Sequence, residues 1–488
     1  MLQGDMGRTA TEEAPSAEAE LLGWASRAGS WLRGPSSRAD LRVAGLLGLA
    51  VVVARLVSLV LMGSSFDSWP MRIGWDMHLL DLAAVRHDPV GSLLHLHSQP
   101  PAYTALAAVT SALPSWLATT LLVGSSLLLG ALAAGATYLL ARELGVRRWL
   151  STAAVLIGLV ASPAWLLWAD VAFYPFPVAC LVSISALSAL RFARSGAASW
   201  GAVTAWLLFA LVMTSTLYQL PWMIAVLAVA GLIGRAGWRR SLLVAIVPLV
   251  VVGAWAIRGQ ILFGVPSTSS WFGINLSKTA ISGIPIEVRR QLVFEGRLSP
   301  LALHPGFRPL ADYPGPDRGS TGPTGVVVLD EGSKSNGQAN LNQAAYVEVS
   351  SRMLSQDLKA IAARPGDYAA DVGRAVLIWQ SASDGNLLFE RRIVGATTPE
   401  GRRYAAWAKG HPVRSGAMAS YAGAYDRVVG LEIPSSWASV TLRDGARTRP
   451  ISLTAVVSFA LCLLVLPVVI WRRRRDRGTL AGLLVLWG

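Results

Sequence analysis

The first long hydrophilic segment of the chain carries most of the side chains suited to acid–base chemistry. Residues 75–81 read Trp-Asp-Met-His-Leu-Leu-Asp, and residues 95–101 read His-Leu-His-Ser-Gln-Pro-Pro. Four of the six histidines of the chain lie in this segment. A carboxylate that is partly shielded from water is suited to act as a general base towards a hydroxyl group. Asp76 and Asp81 are the two candidates for this role.

The same segment admits other interpretations. Asp76 and Asp81 are five positions apart, so on a helix they would point about 140° away from each other. We therefore expect only one of them to face a cleft. Ordinary solvation is the alternative for any single His or Asp here. A zinc site formed by His95 and His97 with Asp76 or His78 is also open, although this spacing matches no familiar zinc pattern.

The composition predicts a membrane protein with several spans. Of the 488 residues, 53% are hydrophobic and 15% are charged, and the mean hydropathy is +0.46, whereas roughly 25% of a soluble domain is charged. These values exclude a disordered chain and a cytosolic enzyme. Both cysteines, Cys180 and Cys462, lie in apolar stretches, which excludes a disulfide-rich scaffold. The net charge of +14 comes largely from arginines between apolar stretches, as membrane orientation requires, so we expect no nucleic-acid partner.

Eight apolar stretches have the character of a bilayer span, which takes about 20 residues. They are 43–63, 116–140, 149–168, 176–193, 199–217, 221–235, 241–262 and 451–471. Five arginine-rich breaks accompany them, at 38–42, 142–148, 191–194, 235–240 and 472–475. If all five breaks face the cytoplasm, the spans alternate in direction. The segments that then lie outside are 64–115, 169–175, 218–220 and 263–450.

This topology divides the chain into four parts. Residues 1–40 show no cleavable signal peptide and are predicted to form a disordered cytoplasmic tail. Residues 41–262 are predicted to form a seven-helix membrane module, and 263–450 a mixed α/β extracytoplasmic domain that is helical again from 341. Residues 451–488 are predicted to hold a C-terminal membrane helix and the start of another at 479–488. Within the first outer loop, 64–115, residues 101–113 open with Pro and predict a helix at the membrane interface.

These features resemble the GT-C class of membrane glycosyltransferases, which includes protein O-mannosyltransferases and lipid A aminoarabinose transferases. In those families an Asp-Glu in the first outer loop is followed by His-Pro-Pro. Here the corresponding positions are Asp76-Met77, with Asp81 nearby, and then 97–101, which read His-Ser-Gln-Pro-Pro. The resemblance implies transfer of a sugar from a polyprenyl-phosphate donor to a hydroxyl at the outer face, with inversion. One first-loop Asp would be the base; Asp81 lies nearer to the Pro-Pro, and Asp76 remains open.

The resemblance also implies a substrate site at the outer ends of the spans. Its candidate residues come from the first outer loop, the connection at 169–175 and the end of the seventh span: Arg72, His97, Gln99, Tyr103, Asp170, Tyr174 and Arg258. The two arginines are candidates for binding the donor phosphate; an interfacial anchor is the alternative for Arg258. Some enzymes of the class need a divalent metal such as Mg²⁺ or Mn²⁺, and the acids here do not decide that point.

Two further polar features have competing interpretations. Arg55 lies in the first span, where a charged side chain is costly and marks a functional site by default. Its alternative is a structural pairing with Asp170 or with a backbone carbonyl of a neighbouring helix. Residues 335–342 read Ser-Asn-Gly-Gln-Ala-Asn-Leu-Asn and are polar enough to contact a sugar, but a solvated turn is the favoured interpretation.

Two other classes of function remain open. One is a transporter or flippase with a large outer domain, and the other is a non-catalytic protein of cell-envelope assembly. Transporters place polar groups in broken helices near the bilayer midplane, whereas the polar residues here gather at the outer ends of nearly acid-free spans. Nothing in the sequence excludes an assembly protein.

Overall fold

The computed structural model describes residues 37–62, 66, 78–281, 283–304, 306–313, 323–379, 416–430, 439–441 and 448–450. Two candidate site residues, Arg72 and Asp76, lie outside these described residues. The same holds for the predicted tail up to residue 36 and for the predicted C-terminal membrane segment 451–488. The described chain is mainly helical.

Seventeen α-helices of the described chain are numbered here in chain order. They are α1 Arg38–Leu61, α2 Leu82–His87, α3 Pro89–Leu94, α4 Pro101–Ala112, α5 Ser115–Glu143, α6 Arg148–Val155, α7 Pro163–Ala169, α8 Pro175–Ser195, α9 Ala198–Thr214, α10 Leu220–Ile233, α11 Gly237–Phe263, α12 Phe272–Ala280, α13 Ile286–Phe294, α14 Val327–Asp330, α15 Ala345–Ala363, α16 Pro365–Trp379 and α17 Gly416–Tyr425. A π-helical turn, Leu156–Val160, continues α6.

Four helices, α1, α5, α8 and α11, are long and apolar enough to cross a membrane, or five spans if the bent pair α6–α7 counts as one. Helices α9 and α10 coincide with predicted spans but have 17 and 14 residues. At 1.5 Å per residue they reach about 26 and 21 Å, short of the roughly 30 Å hydrocarbon core. The seven predicted spans that the structure describes are all helical. That α9 and α10 cross the membrane stays a prediction.

Helix α1 begins inside the segment that was predicted to be a tail. The Ser37 hydroxyl accepts a hydrogen bond from the Asp40 backbone N–H at 3.1 Å, and the Asp40 carboxylate accepts one from the Ser37 N–H at 3.2 Å. This reciprocal capping box satisfies two amides at the start of the helix. The helix then packs its Ala44, Leu47 and Val51 face into the core and leaves its opposite face apolar and exposed, as a lipid-facing helix does.

The third predicted span is broken, which the sequence analysis did not predict. Helices α6 and α7 meet at an angle of 53°. Pro163 has no N–H for a continuous helix, and the Ser162 hydroxyl caps the new helix by accepting from the Trp165 N–H. The carbonyls freed by the break are satisfied by α17, since the Tyr425 hydroxyl donates to the Ile157 carbonyl at 2.7 Å. Helix α17 thereby closes a gap in the backbone hydrogen bonding of the bundle.

Ion pairs bring the first three arginine-rich breaks together. Asp40 accepts from Arg142 at 3.2 Å and from Arg148 at 3.1 Å. Glu143 accepts from Arg191 at 2.8 Å. The two acids therefore join the start of α1, the α5–α6 connection and the end of α8 at one end of the bundle.

The fourth break lies at the same end. The Arg240 guanidinium donates to the Gly196 carbonyl at 2.7 Å, and the Arg235 backbone N–H donates to the Ala193 carbonyl at 2.8 Å. The four breaks that the structure describes therefore lie at one end of the bundle, whereas their position on the cytoplasmic side of a membrane stays a prediction. We call the ends formed by residues 38–42, 142–148, 191–194 and 235–240 the basic end.

The regular secondary structure that the structure describes in residues 263–450 is helical, apart from two short strands. These strands, β1 Ser439–Thr441 and β2 Thr448–Pro450, pair antiparallel. Helices α12 and α15 enclose a core in which Trp271, Ile274 and Val349 are buried. The helical prediction from 341 is confirmed by α15 and α16, whereas the mixed α/β fold predicted for the segment stays a prediction.

Gly273 sets the distance between α12 and α15. A Cβ atom at this position would lie 1.9 Å from the Ser350 carbonyl oxygen, closer than any real contact. We predict that Gly273→Ala lowers the free energy of unfolding by roughly 1–3 kcal/mol, because the helices must separate. The measurement is the thermal unfolding midpoint of the purified chain in detergent. Gly373→Ala, in α16 and with no atom within 4 Å of its Cβ, is the matched control; equal midpoints for the two variants would contradict the prediction.

Candidate functional site

The end of the bundle opposite the basic end gathers the candidate site residues that the structure describes. The helix predicted at 101–113 is confirmed as α4, with Pro101 in its first turn and Pro100 before it. Tyr103, on this helix, is buried and donates its hydroxyl to the Ala172 carbonyl at 2.7 Å. The first loop is thereby fastened to the connection between α7 and α8. We call this end, formed by residues 78–101, 170–174, 215–219, 264–271 and 323–344, the loop end.

Asp81 is held by three donors. It is the N-cap of α2, where Oδ1 accepts from the Ala83 N–H at 3.0 Å. Ser335 donates its hydroxyl to the same Oδ1 at 2.6 Å and its backbone N–H to Oδ2 at 2.8 Å. A carboxylate offers about four lone-pair positions, so one position on Oδ2 remains. Because Asp81 is partly exposed, that position is accessible from outside the protein.

His97 is fully enclosed by the protein. Its Nε2 lies 2.8 Å from the Asn342 carbonyl oxygen and 3.1 Å from that of Gln343, so Nε2 must carry the proton. Its Nδ1 then accepts from the Ser270 hydroxyl at 2.7 Å. Burial lowers the pKa of His97 from 6.5 to about 4, partly opposed by the carbonyl partners and assisted by the charge of Arg258. His97 is therefore a neutral structural link between three segments.

Asn342 completes this link. Its side-chain oxygen accepts from the backbone N–H groups of His97 and Ser98, each at 3.0 Å. Its side-chain nitrogen donates to the His95 carbonyl at 3.1 Å and to the Val328 carbonyl at 3.2 Å. One buried amide thus satisfies four backbone groups from two distant segments. The interpretation of residues 335–342 as a solvated turn is wrong for Asn342 and for Asn340, which are 2% and 4% exposed.

Residues 267–271 cross the middle of the loop end. The Ser270 N–H donates to the His97 carbonyl at 2.7 Å, and its own carbonyl accepts from the Ser350 hydroxyl at 2.6 Å. The Ser267 hydroxyl donates to the Gln219 side-chain oxygen at 2.9 Å. This serine-rich segment therefore connects the first loop, the α9–α10 connection and α15.

Aromatic rings surround His78 beside this segment. The ring centroid of His78 lies 5.0 Å from that of Tyr174, 5.7 Å from Phe173 and 5.8 Å from Trp271. We call these four residues the aromatic group. Sequence reasoning singled out Tyr174 and considered His78 for zinc alone; the contact with Trp271 joins positions nearly two hundred residues apart and has no local sequence signal.

Three buried donors, two in the segment 99–104 and one on Trp271, have no hydrogen-bond partner among the described residues. They are Gln99 Nε2, Thr104 Oγ1 and Trp271 Nε1, in side chains that are 4%, 0% and 0% exposed. Gln99 follows Ser98, whose carbonyl accepts a hydrogen bond from the Ser269 hydroxyl. The Ser269 hydroxyl oxygen in turn accepts one from the backbone N–H of Trp271 at 3.1 Å. Most buried polar groups are satisfied, so a ligand rich in acceptors suits this part of the loop end.

Asp170 is not open to a ligand in this structure. It forms an ion pair with Arg55, and the two side chains are 0% and 3% exposed. Arg55 also donates to the Ala169 carbonyl at 2.6 Å, and the Ser126 hydroxyl donates to that carbonyl at 2.9 Å. Of the two interpretations of Arg55, the structural pairing with Asp170 and a neighbouring carbonyl is confirmed.

Arg258 binds the end of the first loop. Its Nε donates to the Leu94 carbonyl at 2.7 Å and its Nη2 to the Leu96 carbonyl at 2.6 Å. The guanidinium lies over the Trp255 ring at 4.3 Å from its centroid. A cation in this position stabilises the last carbonyls of α3. Its Nη1 has no acceptor among the described residues.

The zinc alternative finds no support in the positions of the histidines. Both ring nitrogens of His97 face protein partners, and His95 places Nδ1 2.8 Å from the Gly91 carbonyl. Among the described residues, no group of three or more His, Cys, Asp and Glu side chains is arranged to hold a metal.

Asp357 is a buried acid that the sequence analysis did not single out. It is 0% exposed, neither carboxylate oxygen has a hydrogen-bond partner, and burial raises its pKa to about 8. The helical period of α15 places it on the same buried stripe as Met353 and Ala360. That period was a readable signal, since an acid on an apolar stripe is unusual.

The chain matches no protein-family model, no curated protein and no solved structure. Its assignment to a class of function therefore depends on its own residues and their geometry.

We predict that acid weakens the attachment of residues 323–345 to the first loop. His97 has a folded pKa of about 4 against 6.5 when unfolded, so its stabilising contribution is complete above pH 6.5 and is lost as the pH falls towards 4. The full loss is about 3 kcal/mol. Limited proteolysis and the thermal midpoint between pH 7 and 4 measure it. The thermal midpoint of His97→Gln should vary less with pH than that of the wild type, whereas His87→Gln, at an exposed position, should leave this variation unchanged. A wild-type pH dependence of the midpoint in His97→Gln would contradict the prediction.

We predict that Asp357→Asn stabilises the chain more as the pH rises. The folded pKa of about 8 exceeds the reference value of 3.8, so ionisation destabilises the wild type by up to about 1.4 kcal/mol for each pH unit between these values. Thermal midpoints of wild type and variant should agree near pH 4 and diverge by pH 8. Asp367→Asn, which changes a partly exposed acid paired with Arg364, is the control. A difference that is constant with pH would show that Asp357 does not titrate in this way.

Proposed function

We propose that the chain is a glycosyltransferase of GT-C type, which moves a sugar from a polyprenyl-phosphate donor to an acceptor hydroxyl at the outer face of the membrane. A first-loop Asp acts as general base and the sugar configuration inverts. The acceptor belongs to a glycan, a lipid or a protein. The apolar helices and the gathering of first-loop residues at one end of the bundle support this proposal.

The observation that carries the proposal is the geometry of Asp81. The N-cap hydrogen bond and the two hydrogen bonds from Ser335 fix the carboxylate and leave one accessible position on Oδ2. A general base needs a hydroxyl within about 2.6–3.2 Å, and Ser335 shows that Oδ1 already accepts a hydroxyl at 2.6 Å. An acceptor hydroxyl would occupy the remaining position on Oδ2.

The sugar is transferred in a single displacement, and no covalent bond forms between the sugar and the enzyme. The acceptor oxygen attacks the anomeric carbon while its proton passes to the carboxylate of Asp81 or Asp76. The bond from the anomeric carbon to the phosphate oxygen breaks, and the electron pair leaves with the polyprenyl phosphate. Arg258, through Nη1, and Arg72 are the proposed partners of the leaving phosphate.

The substrate residues divide by what they are free to contact. Gln99 has an unpartnered buried donor, and Tyr174 belongs to the aromatic group, so both are proposed to contact the sugar. His97 and Tyr103 are held by protein partners and position the first loop. Asp170 is enclosed by Arg55 and supports the connection that carries Tyr174.

A transporter or flippase is the second candidate, because the span formed by α6 and α7 is broken. Broken helices with charged residues at the break are typical of transporters. In this chain, however, Arg55 and Asp170 form an ion pair with each other, and both side chains are buried. The observation therefore favours a structural break over a transport site. A non-catalytic assembly protein is the third class, and retained function after loss of both first-loop acids would favour it.

We predict that first-loop acids are required for sugar transfer. The experiment measures turnover of labelled polyprenyl-phosphate sugars by purified wild type, Asp81→Asn and Asp76→Asn. The variant that lacks the base should lose at least about a hundredfold in kcat with donor binding retained. Asp88→Asn is the matched control, because Asp88 caps α3 in the same loop through the Gly91 N–H at 2.9 Å and has no assigned catalytic role.

The outcomes separate the three classes. Full activity in both acid variants would overturn the first-loop mechanism. Donor binding without transfer by the wild type, together with movement of the lipid donor across vesicle membranes, would identify a flippase. Neither binding nor transfer of any donor would favour the assembly protein.

A further inference from the structure

The basic end carries an excess of positive charge that its own acids do not balance. The four breaks that form it contain ten arginines and two acids, Asp40 and Glu143. Both acids are buried, and each already binds two arginines. Their role inside the protein is to join helix ends, so they are not counter-ions for the remaining arginines.

Five arginines of the basic end project from the surface without an acceptor. Each is exposed, and none of their guanidinium groups has a hydrogen bond or ion pair with the described residues: Arg38, Arg42, Arg147, Arg235 and Arg239. Arg239 lies over the ring of Trp238, 5.5 Å from its centroid. Each arginine presents N–H groups in a planar fork that matches the oxygens of a phosphate.

These arginines lie where the apolar helix surface ends. Trp149 and Trp238 are 63% and 57% exposed beside them. One to two turns further along α11, Leu243 and Val247 are 72% and 57% exposed. Exposed tryptophans between an apolar surface and a charged surface are typical of the level of lipid head groups. The unbalanced arginines therefore face the zone in which phosphodiesters of a bilayer lie.

We propose that the basic end binds anionic phospholipids, with the phosphate and head group held by the five exposed arginines and the acyl chains lying along the apolar faces of α1 and α11. The excess charge is confined to helix ends next to an apolar surface, whereas a nucleic acid needs a broad polar basic face. The ligand is therefore a lipid phosphodiester. This inference does not depend on the proposed transfer activity.

The test uses the full chain in nanodiscs that contain equal amounts of phosphatidylglycerol and phosphatidylcholine. Quantification of the lipid that stays bound after extraction into detergent should show phosphatidylglycerol enriched several-fold over phosphatidylcholine. A variant with Arg147→Gln and Arg239→Gln should lose most of the enrichment, and a variant with Arg38→Gln and Arg42→Gln should reduce it. The control variant carries Arg290→Gln and Arg352→Gln, two surface arginines outside the basic end whose guanidinium groups pair with Glu287 and Glu348; it should keep the enrichment.

Three results would overturn the proposal. One is equal retention of the two lipids by the wild type, and another is equal loss of enrichment in the control variant. The third is displacement of the bound lipid by millimolar glycerol phosphate, which would identify the ligand as a soluble phosphate. Thermal midpoints in pure phosphatidylcholine verify that each variant is folded. If the first variant is unfolded, the Arg38→Gln and Arg42→Gln variant decides the result.

Discussion

The ion pair between Arg55 and Asp170 is the constraint on which the arrangement of the loop end depends. A charged arginine inside an apolar helix is tolerated only where a partner and further acceptors compensate for its lost hydration. Asp170 and the Ala169 carbonyl supply them, which fixes the end of α7 against α1. The residues that follow, Phe173 and Tyr174, are thereby brought against Tyr103 and His78. A pair without access to solvent thus places the aromatic group.

Neutral polar groups make many of the hydrogen bonds that join the segments of the loop end, beside the charged Asp81 and Arg258, whereas ion pairs join the helix ends of the basic end. His97, Asn342 and the serines at 267–270 satisfy buried backbone groups with hydroxyls, an amide and an uncharged imidazole. Neutral partners pay a smaller desolvation penalty than ions.

Much of the fold was readable because membrane helices obey a strong local rule. Apolar length located every described span, and Pro100-Pro101 located α4. The grouping of the arginine-rich breaks at one end of the bundle followed from charge alone and agrees with the ion pairs of Asp40 and Glu143. The break at Ser162-Pro163 had a local signal, a capping serine followed by a proline, but the apolar residues on both sides made the segment look like one continuous span. The site was less readable, because Asn342 binds His97 across 245 positions and no local pattern names such a partner.

That separation has a consequence for the order in which the protein is completed during synthesis. The backbone amides of His97 and Ser98 find their acceptor only when residue 342 has left the ribosome. By then all helices from α1 to α11 have been made. Contacts between distant positions form late, since the intervening chain must first be ordered. The hydrogen bonds between Asn342 and the first loop therefore form only after the helices that precede them have been synthesised. A chain that stops before this residue would lack the four hydrogen bonds by which one amide joins residues 95–98 to residue 328.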